Sequence, residues 1–312
     1  MSSTRNSLVL GCFTQLPPEE LRVFARSLRS SGFKGRLVLF CAGHGSRDRR
    51  EIASMADEVI DLSASSTDDA APWGQSALRY ARSTHGLRRH YPTLFRLRAR
   101  LSTERSALST WYKLERSLEG LQSLRYGLYR SYLESAEDTD QVLIADVRDV
   151  LFQADPFLAR CSGLEVFEES ANSSIGSDHF NKQWVQDLVG KRKSDSMMSR
   201  PILCSGTTAG DRPSMLRYLH AMEREVIWRR RPMGSHDQGL HNILAYGELA
   251  GIAKISKNGA ARVLTAGQVS ALRLDGSDRV LNDDGTIVPV VHQYDRHPDF
   301  AARTKARYSL SD

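Results

Sequence analysis

The sequence has no apolar run approaching the ~20 residues that a bilayer-spanning helix needs. It has no CxxC pair, no GxGxxG fingerprint, no internal repeat and no low-complexity tract. Each absence removes a class of protein. The opening MSSTRNSLVLGCFTQ holds an apolar segment too short for a secretory signal, and no small-residue cleavage site follows it. That segment reads instead as a first strand, and a cytoplasmic protein is expected. The 4 cysteines, Cys12, Cys41, Cys161 and Cys204, are widely spaced. Three lie in or beside apolar, strand-like runs, where a free thiol behaves as a small hydrophobe. Neither a zinc site nor a disulfide framework is expected. Without GxGxxG after the first strand, the dinucleotide-binding fingerprint is excluded.

What is present is an ordinary globular composition, 40% hydrophobic and 26% charged over 312 residues, enough for one large α/β domain or two smaller ones. The net charge is +6. The surplus is concentrated in RSTHGLRRHYPTLFRLRARLSTER (82–105), which is rich in arginine and holds a single glutamate. Such a block either attracts polyanions or forms a solvated helical face.

Apolar patterning sets the organisation. LVLGCF, RLVLFCAG and DEVIDL read as three strands. A helix lies between the first two, opened by Pro17-Pro18 and carrying Leu21, Phe24, Ala25 and Leu28 on one face. A shorter helix near 48–56 follows. This alternation is the βαβ pattern of a doubly wound sheet. A loop is expected over 63–76 and a long helical region over about 104–135, with Gly120 a break. QVLIA (141–145) reads as a strand buried on both faces. GLEVFEE is a further strand, and SDHFNKQWVQDLVG an N-capped helix closed by glycine. PILCSGTTAGDRPSMLRYLHAMEREVI reads as a buried strand, a small-residue turn and a long amphipathic helix. SHDQGLHNILAYG starts another helix, and short strands and turns follow, ending in VVHQYDRHPDF.

Ligand sites in open α/β sheets lie beyond the carboxyl ends of strands. Four clusters fall at such places or at a helix start: Asp146/Asp149, Ser205-Gly206-Thr207-Thr208, His236-Asp237-Gln238 and His292. Carboxylates beyond a buried strand are costly unless paired. Two at i and i+3 share one space if the chain turns there, and their hard oxygens suit Mg²⁺ or Mn²⁺. The plain alternative is that Asp146 caps a turn and Asp149 pairs with Arg148 or another arginine. CSGTTAGD permits close backbone approach to a ligand or makes an ordinary tight turn. Asp237 reads otherwise as a helix cap, and His292 as a structural histidine.

The stretch VLIADVRDVLFQADPF resembles the signature region of GT-A nucleotide-sugar glycosyltransferases, and more closely a group of GT-A-like transferases with DVRDVxFQxDPF. A Ser-Gly-containing strand and an Asp-Gln-containing helix follow in the same order, so the likeness covers roughly residues 120–295. It implies an α/β, GT-A-like (Rossmann-like) fold with a mixed, mostly parallel sheet flanked by helices. One domain is implied over 1–312, carrying the basic segment at about 63–110. The implied activity is transfer of a sugar from a nucleotide-diphosphate donor to a hydroxyl of a glycan, lipid-linked or protein acceptor, with Mn²⁺ or Mg²⁺. It implies metal ligands Asp146, Asp149 and His292, with His297 and Asp295 competing in the last segment. The implied donor-binding set is Thr14, Arg125, Asp146, Arg148, Asp149, Ser205, Gly206 and Gln238, Arg125 meeting the diphosphate and Arg130 pointing elsewhere. Asp237 would stabilise the transition state. Glu168, or Glu169, would be the base if the enzyme inverts; the Asp237-Gln238 pair favours retention. The spacing departs from the family, being Asp-x-x-Asp rather than Asp-x-Asp, which leaves open which carboxylate meets the metal.

Two other classes compete with this one. Haloacid-dehalogenase-like phosphatases want Asp-x-Asp near the start of their core domain, and neither spacing nor position agrees. A basic α/β scaffold binding nucleic acid or an anionic membrane through 82–105 is the non-catalytic alternative, but no nucleic-acid module is recognisable there. For a transferase, the same segment would dock the protein peripherally at the inner face of an anionic membrane. No nucleic-acid partner is expected.

Overall fold

The computed structural model describes residues 6–42, 46–62, 121–228 and 236–308. The basic segment, the loop over 63–76 and the first part of the long helix over 104–135 lie outside the described residues.

Strands β1 (Ser7–Thr14), β2 (Arg36–Ala42), β3 (Glu58–Asp61), β4 (Gln141–Ala145), β6 (Leu164–Glu168), β7 (Leu203–Asp211) and β8 (Ala253–Ser256) form one sheet, in the order β3-β2-β1-β4-β7-β6-β8. Four of its pairings are parallel; β7 alone runs antiparallel to both of its neighbours. The helices are α1 (Pro18–Ser30), α2 (Ser46–Met55), α3 (Leu121–Ser135), α4 (His179–Val189), α5 (Lys191–Ser194), α6 (Arg212–Trp228), α7 (Asp237–Tyr246) and α8 (Pro298–Tyr308). The expected α/β fold with a mixed, mostly parallel sheet flanked by helices is what the chain adopts. Strands β5 (Val150–Phe152), β9 (Val263–Thr265) and β10 (Val290–His292) make a second, three-stranded sheet in the order β5-β10-β9.

The apolar runs are continuous because both faces of the large sheet are covered. From β1, Leu8 and Leu10 pack on one side with Leu124, Leu128 and Tyr129 of α3 and Met215 and Leu219 of α6. Val9 faces the other side, with Leu21, Phe24 and Leu28 of α1 and with Phe152, Val263 and Val290 of the small sheet. Helix α1 starts as its sequence dictates, with proline in the first turn, Glu19 and Glu20 at its positive end and a single buried face. It also joins the sheets: Phe24 meets Phe152 edge to face at 5.1 Å, and Ser27 Oγ accepts from the Phe152 N–H at 3.1 Å. Helix α4 is capped by Asp178, which accepts from the Asn181 N–H, and ends at Gly190 with φ of 81°.

One expectation is corrected. SGTTAG is strand, not turn: 203–211 is one strand between β4 and β6, with an irregularity in its pairing to β6 between Val166 and Glu168. The small side chains serve close packing. A Cβ at Gly210 would lie 3.1 Å from the Gly163 carbonyl oxygen. The turn is compressed into Asp211, whose carboxylate accepts from the Ser214 N–H at 2.9 Å and starts α6 without a linker.

Candidate active site

Strand pairing assembles the site. Asp146 follows β4, and its N–H extends the ladder by donating to the Gly206 carbonyl at 2.8 Å. The chain then bends: Val147 turns into the core, Arg148 outward, and Asp149 enters β5. That bend brings carboxylates three positions apart into one space. In the small sheet β10 runs antiparallel to β5 with His292 opposite Val150, so the imidazole arrives beside Asp149. His292 Nε2 lies 3.5 Å from Asp149 Oδ1 and 3.9 Å from Asp146 Oδ2. One ligand atom from each of the three residues falls within 4.8 Å of the others.

Two observations test whether this triad fits a divalent cation. Asp149 Oδ1 and His292 Nε2 are buried and face each other at 3.5 Å, and neither makes a hydrogen bond to any other group. Beside them, Gly206 lets the β7 backbone come close against the imidazole and Asp146, where any side chain would collide. A Cβ there would stand 2.5 Å from His292 Nε2 and 2.9 Å from Asp146 Oδ2. Two carboxylates and one imidazole are a donor set suited to Mn²⁺ or Mg²⁺. The residues fit the ion.

Burial opposes the charged form of Asp149, but His292 outweighs it and lowers the Asp149 pKa. Burial likewise opposes a charged His292, yet Cys204 and Asp149 beside it raise the imidazole well above its ordinary value. Since burial keeps Cys204 itself a thiol, with Sγ 3.5 Å from His292 Nδ1, Asp149 is the charge that matters at neutral pH.

Arg125 lies behind the triad, 5% exposed. Its Nη1 pairs with Asp146, while Nη2 donates to Asp237 Oδ2 at 3.0 Å, the Ser205 carbonyl at 3.2 Å and the Tyr126 hydroxyl at 3.2 Å. The Tyr126 hydroxyl donates in turn to Asp237 Oδ2 at 3.2 Å. Burial raises the Asp237 pKa despite the guanidinium. Gln238 ties three elements together: its amide nitrogen donates to Glu169 Oε2 at 2.8 Å and to Asn181 Oδ1 at 3.0 Å, and its oxygen accepts from the Ser205 N–H at 3.4 Å.

These groups line one cleft of roughly 760 Å³. Thr14, Arg125, Asp146, Arg148, Asp149, Ser205, Gly206, Asp237, Gln238 and His292 all face it. Glu168 does not: it is buried at the end of β6, where its charge acts on Tyr246 of α7. The strand's alternation turned Glu168 to the side opposite Phe167, and the neighbouring Glu169 is engaged by Gln238. Arg148 neither pairs with the aspartates nor is buried; 61% exposed, it lies 3.3 Å from Glu20. Arg130 pairs with Glu223 and Glu134, away from the cleft. His297 Nε2 faces the Ala266 carbonyl at 3.0 Å.

Sequence reading missed Trp184, Cys204, Arg296 and Tyr126. Cys204 and Arg296 stood in segments read for other residues. Trp184 stood in a helix read for its caps, and Tyr126 follows Arg125 directly. Only their tertiary neighbours distinguish them.

No protein-family model matches the chain, and no curated protein matches it. Among solved structures, the crystal structure of the galactosyltransferase LgtC in complex with donor and acceptor sugar analogs is similar at a TM-score of 0.46 and 14% identity, covering 97% of this chain and 94% of that one. The structure of an active-site mutant of LgtC is similar at a TM-score of 0.47 and 15% identity, with the same coverage. The functional reading rests on the side chains of this chain.

Proposed function

We propose that the chain is a glycosyltransferase, moving a sugar from a nucleotide-diphosphate donor to an acceptor hydroxyl. The observation that carries this reading is the Asp146/Asp149/His292 triad, its ligand atoms gathered within 4.8 Å of one another with the Gly206 backbone close against them, set in a cleft large enough for a nucleotide sugar. The resemblance of the same stretch to the GT-A signature supports it.

The side chains divide the work. Asp146, Asp149 and His292 would hold Mn²⁺ or Mg²⁺, which when bound neutralises charge on the departing diphosphate. Arg148 and Arg296, each 61% exposed and both facing the cleft, supply further positive charge for that group. Arg125 has a positioning role, holding Asp146 and Asp237 at fixed separation. Asp237 and Ser205 face the donor sugar, and Gln238 fixes the helix start beneath it. The acceptor oxygen bonds to the anomeric carbon as the carbon–oxygen bond to the diphosphate breaks, and the acceptor proton leaves on the nucleoside diphosphate. Among the described residues, the carboxylates lining the cleft are the two triad aspartates and Asp237, which Arg125 already engages. With all three engaged in these roles, the described residues support a retaining outcome.

The test is thermal shift against UDP-, GDP-, CMP- and dTDP-sugars, each with and without Mn²⁺, since ligands of the folded state raise apparent stability by mass action. One nucleotide class is expected to stabilise the protein only with metal, and Asp146→Ala and Asp149→Ala are expected to remove the shift. Saturating donors that give no shift with either metal condition would overturn the reading.

A further inference from the structure

Three large apolar side chains are exposed among the described residues: Leu158, Phe180 and Ile255. Single exposed apolar residues are ordinary. Phe180 differs in its company. It stands in the first turn of α4, 64% exposed, and its ring lies 6.0 Å from that of Trp184, tilted by 33°. Trp184 lines the cleft, and the His236 imidazole lies 6.4 Å beyond it at 54°. Trp184, which lines the cleft, thus stands between the exposed Phe180 and His236 in a row of three rings.

The row is braced. A Cβ at Gly239 would come within 2.8 Å of Trp184 Cβ, so that glycine lets α7 approach α4 closely. The Gln238–Asn181 hydrogen bond fastens α4 to the base of the cleft. Asp187 holds the His236 ring from the side, with Oδ2 at 3.2 Å from Nε2, while its other oxygen accepts from Gln183 at 2.8 Å. Helix α4, which carries Phe180 and Trp184, and the His236 ring are therefore held in place before any ligand arrives, which lowers the entropic cost of binding.

We propose that Phe180, with Trp184 and His236, forms a carbohydrate-binding shelf that receives a pyranose ring of the acceptor at the mouth of the cleft. This names the acceptor class of the function proposed above, a glycan, and rests on that reading. The chemistry is specific to a sugar. One face of a pyranose presents C–H groups that pack on an aromatic ring, while its rim carries hydroxyls that stay in water or turn into the polar cleft. A ring seated on Phe180 and Trp184 would direct its glycan end toward Asp237 and the triad. An extended aliphatic chain would gain nothing from the tilted stacking.

The test is saturation-transfer difference NMR on the full chain with methyl pyranosides of galactose, glucose, mannose and N-acetylglucosamine. Nucleotide-sugar thermal shift with Mn²⁺ is run on the same samples. At least one glycoside is expected to receive saturation on its ring C–H protons. Its affinity should fall about fivefold in Phe180→Ala and return in Phe180→Tyr, with the nucleotide shift unaltered in both. A Phe180-dependent glycoside signal without a nucleotide shift would keep the shelf and remove the donor reading. A nucleotide shift with no Phe180-dependent glycoside signal would overturn the shelf alone. Phe180-dependent sedimentation with phosphatidylserine vesicles, in place of glycoside binding, would overturn it in favour of a membrane contact.

Discussion

At Gly206 the absence of a side chain is a steric requirement of the triad. Alanine there would press a methyl group onto the His292 ring, whose Cε1 lies 2.4 Å from the ideal Cβ position. Gly206→Ala is expected to fold, with a loss of about 1–3 kcal/mol from overpacking, and to weaken Mn²⁺ binding at least about tenfold. Far-UV circular dichroism and titration calorimetry read the two effects separately. His241 makes a second residue-scale case. It is fully buried behind the site, with its Nδ1 2.8 Å from the Tyr218 hydroxyl, and burial lowers its pKa from 6.5 to about 3. Between those values the unfolded chain binds a proton that the native state refuses, so stability falls as pH falls from 6.5 toward 3. The slope from this group is at most about 1.4 kcal/mol per pH unit. His241→Gln should flatten that part of the urea-derived stability profile; an unchanged profile would show that the imidazole titrates in place.

The elements meet through a few polar bridges in otherwise apolar interfaces. Arg125 projects from α3 and ties it to the end of β4 through Asp146, to β7 through the Ser205 carbonyl and to α7 through Asp237. Removing the cation leaves the buried Asp237 without its charged partner and facing a half-exposed Asp146. Arg125→Leu is expected to destabilise the protein by about 3–5 kcal/mol. Arg125→Lys, keeping the charge but not the fork, should fall between it and wild type in a denaturant melt. On the other face, Phe24 of α1 fills the space against Phe152 where the small sheet packs. Phe24→Ala is expected to cost about 3–5 kcal/mol by leaving a cavity. It should also loosen β5 and hence Asp149, which hydrogen exchange at Phe152 would register.

For the molecule as a whole, the site exists only when both sheets are docked. Asp146 belongs to the end of the large sheet, Asp149 and His292 to the small one, and Asp237 to a helix between. A ligand bound across them stabilises all of these parts together. Mn²⁺ with the nucleotide at about 100 times its Kd should add about 2.7 kcal/mol. The gain should appear as one shifted transition rather than as protection of a single segment. A calorimetric trace with only part of the heat moving would place the ligand within one sheet. No helix among the described residues is long and apolar enough to cross a membrane.

Much of this was legible from local pattern. Runs buried on both faces identified β1, β2 and β4, because only a sheet covered by helices tolerates them. Proline, aspartate and glycine marked the ends of α1 and α4 through backbone physics that acts within a few residues. Asp146, Asp149 and His292 stood out as polar residues placed just beyond apolar strands. What the chain could not state locally was direction and partnership. CSGTTAGD reads as a turn because small residues suit turns, and only antiparallel pairing with β4 and β6 made it a strand. Glu168 and Glu169 are chemically alike and adjacent, so which one meets Gln238 depends on how β6 alternates against its neighbours. Arg125 lines the cleft as its place in the sequence suggested, but its partners Asp146 and Asp237 stand 21 and 112 positions away in the chain and could not be read locally. Residue type determined the available chemistry; packing between distant segments decided which atoms would be left without a partner.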